Sequence, residues 1–378
     1  MKCIINGKLI LADRIIEGYT LYFNESIMKI EKTSLLDTEN GLEIIDAKGH
    51  FVSAGFIDLH IHGSGGADVM DATPEALETL SVTLLQTGTT SFLATTMTMS
   101  SEAIESALKN ISQYASSVTG SQILGVHLEG PFINPLKHGA QDKQFIQKPN
   151  MELIREYISL IKMITIASEV DQSEVFIKQL QKEYPHIILS IGHSNASYEE
   201  TQKSFRWGVS HATHLFNAMN PYHHREPGIV GAVFDSDITC DVIADLVHTH
   251  PHMLELVYKM KKEKLILITD AMRAGCMKCG TYDLGGRTVE VSDGEALLED
   301  GTLAGSVLKM NEAMANMLQH TSMSRTEIVA SATKRPAQKL GLKKGELKKG
   351  YDADIVIFDE DFSIISTIIA GEVKYRSV

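Results

Sequence analysis

The chain has 378 residues, of which 43% are hydrophobic and 22% are charged. This composition is typical of globular proteins and excludes collagen-like, coiled-coil and largely disordered chains. The formal net charge is −13. An acidic chain without a lysine-rich run is a poor candidate for binding nucleic acid or an anionic membrane, so an anionic small molecule would need a local site.

The apolar runs and the cysteines indicate the cellular compartment of the protein. Runs such as ILGV and LILI fall far below the roughly 18–20 residues of a membrane helix. The N-terminal segment is interrupted by polar residues such as Asn6 and Asp13, unlike a signal peptide. Four cysteines in so long a chain argue against a disulfide framework. The lone pair Cys276/Cys279 is more typical of loop cysteines than of a metal site. We therefore expect a cytoplasmic protein.

The two ends of the chain are predicted to form short strands. In KCIINGKLIL an Asn-Gly pair lies between apolar runs, which is a hairpin signal, and TLYFNESIMKIEK repeats the pattern. The last stretch, DADIVIFDEDFSIISTIIAGEVKYRSV, is equally rich in β-branched residues. Because each piece is too short to bury a core alone, we expect residues 1–52 and 346–378 to pair into one small β-sandwich domain.

Between these ends, apolar β-branched runs alternate with amphipathic stretches such as PEALETLSVTLLQTG and PHMLELVYKMKKE, where Pro74 and Pro251 suit a first helical turn. Eight such alternations predict an α/β fold, a (β/α)8 TIM barrel over residues 53–345. An open doubly wound sheet is the alternative, but the glycine-rich loop that it usually carries after strand one is not found. Residues 275–305 are predicted to form a long insertion after strand eight. The candidate strands are GFIDLHIH, TTSFLATT, ILGVHLEG, KMITIASE, IILSIGHS, VSHATHLF, TCDVIADLVH and KLILITDA.

Side chains that can bind a metal lie at the ends of five of these eight strands. His-x-His pairs recur by chance, and an aspartate after a strand often caps a helix, so each residue has an ordinary structural explanation. In a barrel, however, the carboxyl ends of the strands converge on one mouth. Imidazole and carboxylate are the usual ligands of a catalytic divalent metal. Their joint occurrence predicts a metal site, formed by His60 and His62 (strand one), Glu129 (three), His193 (five), His214 (six) and Asp270 (eight).

The motifs GFIDLHIHGSGG, GVHLEGPF, GHSNA, HATHLFNAM, HHREPG, ITDAM and GTLAGS follow one another in this order. Together they resemble the N-acetylglucosamine-6-phosphate deacetylases of the amidohydrolase superfamily. The resemblance covers nearly the whole chain and includes GELKKGYDADIVIFD near its C-terminal end. It implies a hydrolase that removes acetate from N-acetylglucosamine 6-phosphate, in amino-sugar catabolism or cell-wall recycling.

The resemblance also implies a ligand set and a mechanism. Residues matching Glu129, His193 and His214 hold the main metal, and His60 and His62, which some members replace, imply a second one. Zinc and iron both suit these ligands, so one or two divalent ions are expected, and two are favoured. A metal-activated water attacks the amide. Asp270 takes the water proton and returns it to the leaving amine.

One position departs from the family pattern. Many relatives carry a histidine twelve residues after the metal-binding glutamate, near the scissile carbonyl, and here that position is Gln141 in KHGAQ. The Gln141 amide can donate a hydrogen bond but carries no charge and transfers no proton. A second metal could supply the missing polarisation, and His138 is a competing donor.

The remaining implied contacts concern the sugar phosphate. Arg225 offers a bidentate fork to phosphate, and in the family the matching arginine reaches across a dimer interface, which implies a homodimer. Leu246 stands where glycine is common. The other implied substrate contacts are Ala140, Asn217, Ala218, Asp245, His248, Leu303, Ala304 and Gly305.

Three alternatives stay open from sequence. The first is an N-acetylgalactosamine-6-phosphate deacetylase, because one hydroxyl orientation leaves little trace in sequence. The second is another amidohydrolase, such as a D-aminoacylase or a dihydroorotase-like enzyme. The latter is disfavoured because KMITIASE has no lysine at its far end. The third is a non-catalytic assembly protein on the same fold, which would typically lack the metal ligands.

Overall fold

A computed structural model of the chain describes residues 1–33 and 42–377. Residues 34–41, inside the predicted first part of the small domain, and residue 378 lie outside the described residues. The strands are β1 Lys2–Ile5, β2 Lys8–Ile10, β3 Ile15–Ile16, β4 Tyr19–Phe23, β5 Ile27–Lys32, β6 Glu43–Asp46, β7 Phe51–Ala54, β8 Phe56–Ile61, β9 Gly63–Ser64, β10 Ala67–Asp68, β11 Thr89–Thr96, β12 Gln122–Glu129, β13 Ile161–Ile166, β14 Ile188–Ile191, β15 Val209–Ala212, β16 Thr239–Ile243, β17 Leu265–Ile268, β18 Gly280–Leu284, β19 Arg287–Ser292, β20 Glu295–Leu298, β21 Ile355–Phe358, β22 Ile364–Ile369 and β23 Glu372–Arg376. The helices are α1 Pro74–Leu84, α2 Ser101–Tyr114, α3 Ser173–Glu183, α4 Tyr198–Trp207, α5 Gly228–Phe234, α6 Pro251–Lys261, α7 Met310–His320, α8 Arg325–Ala332 and α9 Lys334–Lys339.

The predicted barrel is confirmed. Eight parallel strands form one sheet in the order β17-β16-β15-β14-β13-β12-β11-β8, and a parallel bridge between Ile61 and Ala271 joins its two ends. The strands are buried on both faces, as the eight buried residues of β11 illustrate, which is why their sequences are continuous apolar runs rather than alternating ones. Thr73 and His250 cap α1 and α6, with Pro74 and Pro251 in the first helical turn as predicted.

The small domain is a sandwich of two sheets. The first has the order β5-β4-β1-β6 and the second the order β23-β22-β21-β7-β2-β3, so the C-terminal strands join N-terminal ones. Ile4 and Phe23 of the first sheet share a buried cluster with Val52 and Ile355 of the second. The predicted boundaries at residues 52 and 346 stay predictions, and β7 extends through Ala54 in the second sheet.

One N-terminal hairpin prediction is right and the other is wrong. TLYFNESIMKIEK forms the antiparallel pair β4–β5. KCIINGKLIL does not form a hairpin, because β1 pairs with β4 and β6 while β2 pairs with β3 and β7 in the other sheet. Asn6 is left-handed, with φ 53°, but Gly7 is not, whereas a type I′ hairpin turn needs both. A Cβ atom on Gly7 would lie 2.6 Å from Cγ2 of Val52, so glycine serves here for close packing of the two sheets.

The predicted insertion after strand eight folds into a three-stranded antiparallel sheet, β18-β19-β20. Its buried residues pack with Met97 and Met272 beside the mouth of the barrel. Arg287 of β19 donates to the carbonyl of Ala140 at 3.1 Å. The insertion therefore forms one wall over the carboxyl ends of the strands. Within residues 1–33 and 42–377, none of the helices has the length and apolar character needed to cross a lipid bilayer.

Candidate metal and active site

The carboxyl ends of the barrel strands bring the predicted ligands to one point. Glu129 is the last residue of β12, while His193, His214 and Asp270 each lie two residues beyond the end of a strand. All three of these later residues are left-handed, with φ values of 46°, 32° and 49°. That conformation costs a non-glycine residue roughly 1–2 kcal/mol. Such strain clusters at functional sites, where it aims side chains into the mouth.

Glu129, His193 and His214 form the first group of possible metal ligands. Oε1 of Glu129 lies 3.1 Å from Nε2 of His193 and 3.0 Å from Nε2 of His214, and the two Nε2 atoms are 3.1 Å apart. Nδ1 of His193 donates to the carbonyl of Lys137 at 2.8 Å. That bond leaves the Nε2 lone pair free to point at the other two ligand atoms.

His60, His62 and the same Glu129 form a second group. Nε2 of His60 is 3.5 Å from Oε1 of Glu129, Nε2 of His62 is 3.3 Å from Oε2, and the two Nε2 atoms are 3.2 Å apart. Oδ1 of Asp270 completes the cluster at 3.4 Å from His60 and 3.3 Å from His62. Oε1 of Glu129 therefore lies near His60, His193 and His214, and Oε2 lies near His62.

These separations fit a pair of bound metal ions. Ligand atoms at 2.0–2.2 Å from a tetrahedral zinc are separated by about 3.3–3.6 Å, close to the 3.0–3.5 Å observed between Glu129 and the four imidazoles. Nitrogen lone pairs that face one another at this distance repel unless a proton or a cation lies between them. The donor set, imidazole and carboxylate only, is that of a divalent metal such as zinc or iron.

The electrostatics point the same way. Burial alone would raise the pKa of Glu129 and of Asp270, but His60 and the neighbouring imidazoles lower it, for Glu129 well below its usual value and for Asp270 to about 2. Burial alone would lower the pKa of His62, but hydrogen bonds with Asp270 and Glu129 raise it well above its usual value. Two buried carboxylates are therefore held as anions beside groups that must supply positive charge, which is the demand that a metal cation meets.

Gln141 lies against the metal-binding residues. Its Oε1 accepts from the backbone N–H of Thr98 at 2.8 Å, and its Nε2 donates to Oε2 of Glu129 at 2.9 Å and lies 3.4 Å from Nε2 of His193. The Thr98 donor settles which amide atom is oxygen. The contact between the Gln141 side chain and Thr98 requires glycine at position 130, where φ is 75°. A Cβ atom there would lie 2.0 Å from Oγ1 of Thr98 and 2.9 Å from Oε1 of Gln141.

A cavity of about 340 Å³ opens above the ligand atoms, within the usual size range of small-molecule sites. Most of the residues predicted from sequence line it: His62, Glu129, Ala140, Gln141, His193, His214, Asn217, Ala218, His248, Asp270, Leu303 and Gly305. The wall also contains residues that sequence reasoning missed, namely Met97, Gly139, Leu284, Gly301 and Thr302. Met97 directly follows β11, so the strand-end rule reaches its position, but its side chain carries no chemistry that would have drawn attention.

Four predicted substrate contacts do not line this cavity. His138 bonds through Nδ1 to the carbonyl of Gln141 at 2.8 Å. Asp245 binds Nδ1 of His248 at 2.6 Å and so positions a residue that does line it. Ala304 is fully buried in the core of the insertion. Arg225 is exposed, lines a neighbouring cleft, and donates to Nε2 of His224 at 2.8 Å.

Two further histidines, His127 and His211, are packed beneath the site. His127 bonds the carbonyl of Leu59 and Oγ1 of Thr165, and burial lowers its pKa well below the usual value. His211 binds Oγ1 of Thr239 at 2.6 Å and Oδ2 of Asp241 at 2.8 Å. Burial lowers the pKa of His211 as well, although Asp241 opposes the shift.

Comparisons with known proteins agree with this architecture. Residues 51–374 match the Amidohydrolase family. N-acetylglucosamine-6-phosphate deacetylase from Lysinibacillus sphaericus is 41% identical over 345 residues, covering 89% of each chain. The enzyme of the same name from Bacillus subtilis (strain 168) is 44% identical over 335 residues, covering 85% of this chain and 84% of that one. A crystal structure of N-acetylglucosamine-6-phosphate deacetylase from Pasteurella multocida superposes with a TM-score of 0.94 at 32% identity and covers 100% of both chains. The family match and these relatives show that the chain belongs to the amidohydrolase family, and the barrel with histidines and carboxylates at its mouth agrees with that assignment.

Proposed function

We propose that this protein hydrolyses the N-acetyl amide of N-acetylglucosamine 6-phosphate to acetate and glucosamine 6-phosphate, in amino-sugar catabolism or cell-wall recycling. The observation that carries the proposal is the cluster in which Glu129 is shared by two pairs of imidazoles, with Asp270 at 3.3–3.4 Å from one pair. Relatives at 41% and 44% identity carry this enzyme's name. A non-catalytic assembly protein would have no need of such a cluster.

Two divalent metal ions, of zinc or iron, are proposed to occupy the site. Glu129, His193 and His214 would hold one ion, and His60, His62 and Glu129 the other. When bound, such an ion lowers the pKa of a coordinated water toward about 7 and polarises a carbonyl. The fit rests on the donor chemistry and the spacing of Glu129 between both pairs of imidazoles.

Asp270 is proposed to be the general base and then the general acid. Its carboxylate, with a pKa of about 2, is ionised at neutral pH and can accept the proton of the attacking water. Its backbone is held independently of that task, because its N–H donates to the carbonyl of His60 at 2.9 Å and its carbonyl accepts from Ser306 at 2.7 Å. The same carboxylate oxygen of Asp270 can then return the proton to the leaving amine.

Gln141 is the better candidate for the donor to the scissile carbonyl. It lines the cavity and one of its N–H groups is committed to Glu129 at 2.9 Å, which leaves the second for a substrate oxygen. His138 is turned toward the carbonyl of Gln141. Since an amide brings no charge, a metal held by His60 and His62 would carry more of the polarisation here than in relatives with a histidine.

The acetyl and phosphate ends of the substrate are proposed to bind opposite walls. Met97, Leu284 and Leu303 give the cavity an apolar side suited to a methyl group. His248, held by Asp245, and Asn217 with the Ala218 backbone offer the polar side. Arg225 does not line the metal-site cavity of its own protomer but a neighbouring cleft. This position agrees with a homodimer in which the arginine of one protomer binds the substrate phosphate in the site of the other.

Acetate release tests the proposal directly. Purified protein would be assayed with N-acetylglucosamine 6-phosphate, N-acetylgalactosamine 6-phosphate and unphosphorylated N-acetylglucosamine, each with chelator and after readdition of zinc or iron. We expect the first substrate to give the highest kcat/KM, the chelator to abolish turnover and the metal to restore it. A preference for the galactosamine epimer would correct the substrate, and turnover that survives full chelation would refute the mechanism.

A further inference from the structure

A second cleft lies at the amino-terminal end of the barrel strands, opposite the metal site. Its residues have no role in the proposed reaction. It has a volume of about 620 Å³. We call it the basal cleft. Thr239, the first residue of β16, and Lys264, which immediately precedes β17, line it from the barrel. Residues of α8 and α9 form its other side.

Four cations line the basal cleft: Lys264, Lys334, Arg335 and Lys339. The two more buried ones donate only to neutral oxygens. Nη1 of Arg335 donates to the carbonyl of Leu265 at 2.9 Å. Nζ of Lys339 donates to the carbonyl and to Oγ of Ser210 at 2.7 and 3.1 Å.

Of the four cations, Lys334 forms an ion pair with Glu346 outside the cleft, at 3.7 Å, and the carboxylates that line the cleft do not pair with the other three. Asp13 is exposed and lies 3.7 Å from Arg14, and Glu263 is exposed. Glu327 is occupied in capping α8 and accepts from the hydroxyl of Tyr258 at 2.8 Å. In residues 1–33 and 42–377, no ion pair joins Lys264, Arg335 or Lys339 to a carboxylate.

The buried positive charge is costly as it stands. Burial lowers the pKa of Lys339 to about 8, with a further lowering from Lys264, and burial also lowers the pKa of Arg335. A cation removed from water without a counter-ion is unfavourable, and a bound dianion would relieve that cost. In a chain with a formal net charge of −13, such a concentration of unpaired cations is local rather than general.

A continuous set of hydrogen bonds connects this cleft to the metal site. Oγ1 of Thr239 binds Nδ1 of His211 at 2.6 Å, and Nε2 of His211 binds Oδ2 of Asp241 at 2.8 Å. The other oxygen of Asp241 accepts from the backbone N–H of His214, one of the candidate metal ligands. Lys339 donates to the carbonyl of Ser210, the residue that precedes His211 in β15.

From these contacts we infer that the basal cleft binds a small phosphate-bearing anion, with Lys264, Arg335 and Lys339 as its ligands, and that its occupancy is linked to turnover through His211 and Asp241. The proposed anion binding is independent of the proposed function. The proposed link between that binding and turnover rests on the proposed function. Inorganic phosphate and glycerol phosphate share the required chemistry and separate free phosphate from a phosphate monoester.

The binding test is calorimetric titration of each anion at constant ionic strength. We expect saturable binding that is at least tenfold weaker in Lys264→Met and Lys339→Met, and unchanged in Lys349→Met, an exposed lysine away from the cleft. Lys339→Arg should retain binding and so distinguishes lost charge from lost fold. Arg225→Ala serves as the control for binding at the substrate site and should retain the basal phase. Unaltered affinity in the two methionine variants, or complete loss in Arg225→Ala, would overturn the inference.

The linkage test measures kcat at saturating substrate, where competition for the substrate site vanishes. We expect added phosphate to change kcat in the wild type and in Lys349→Met but not in Lys264→Met. A kcat that ignores phosphate in all three would overturn the linkage while the calorimetry still decides the binding. Failure of the proposed function would instead appear as no acetate release in any variant, with binding intact.

Discussion

Replacing Asp270 by asparagine tests the proposed base most directly. The substitution keeps the shape of the side chain, and the backbone bonds to His60 and Ser306 remain. An amide cannot accept the water proton, so we expect kcat to fall by on the order of 10²–10⁴, equivalent to about 3–5 kcal/mol of transition-state stabilisation. The fold and the ion proposed for Glu129, His193 and His214 should persist, because these three residues do not depend on this side chain for their position.

The pH profile sharpens this prediction. Because the pKa of Asp270 is lowered to about 2, its carboxylate stays ionised as pH rises through the whole neutral range and would be protonated only near pH 2. The ratio of wild-type to variant kcat should therefore be flat from about pH 5 to 9. A ratio that climbs steeply between pH 5 and 8 would place the titration of the base in that window and contradict the lowered pKa of Asp270.

The assay is acetate release under saturating substrate, with metal content measured by elemental analysis on the same preparations. Asp293→Asn is a matched control, since Asp293 is an exposed aspartate with φ 50° beside 49° for Asp270. The control should lose no activity. Near-normal turnover in the Asp270 variant, with metal in place, would remove that residue from the proposed role.

Four further outcomes follow from the structure. His62→Gln should lower metal content toward one ion per subunit by elemental analysis, and an unchanged content of two would exclude His62 as a ligand. Gln141→Ala should slow turnover more than His138→Ala, since only Gln141 lines the cavity, and no loss in either would reject both as the carbonyl donor. Arg225→Ala should raise KM far more for the phosphorylated sugar than for unphosphorylated N-acetylglucosamine, and equal effects would refute a phosphate role. Lys344→Met should cost roughly 3–5 kcal/mol of unfolding free energy in denaturant titrations, because it leaves a buried carboxylate unpaired at 2.6 Å from the lost ammonium.

The Lys344 prediction also has a pH signature. Burial alone would lower the pKa of Lys344, but the two aspartates beside it raise the value above normal. A group whose pKa is raised on folding contributes stability that is present at neutral pH and is lost as pH rises through the folded-state value. The difference in stability between wild type and variant should therefore shrink above about pH 10.4, the reference lysine value.

Much of the site was within reach of the sequence because its determinants are local. A strand buried on both faces is a short apolar run, and the residue that ends it lies at the barrel mouth whatever the rest of the chain does. That rule, combined with the metal-binding chemistry of imidazole and carboxylate, selected His60, His62, Glu129, His193 and His214, and the structure places them in two groups that could each hold a metal ion.

Strand pairing is not local, and there the sequence misled. Asn6 and Gly7 have the residue types of a hairpin turn, yet β1 and β2 belong to different sheets. Their partners come from residues far along the chain, and β7 separates β2 from the C-terminal strand β21. Apolar burial against those distant strands outweighs the preference of a dipeptide.

The sequence by itself determined the barrel and the types and order of the candidate ligands, because all of these depend on patterns a few residues long. Only the tertiary structure decided that Ala304 is packed inside the insertion, that Asp245 is bonded to His248, and that Met97 and Leu284 line the cavity. These outcomes depend on how loops from separate strands lie over one another. That arrangement is governed by contacts between segments distant in sequence, which residue types and spacings do not encode.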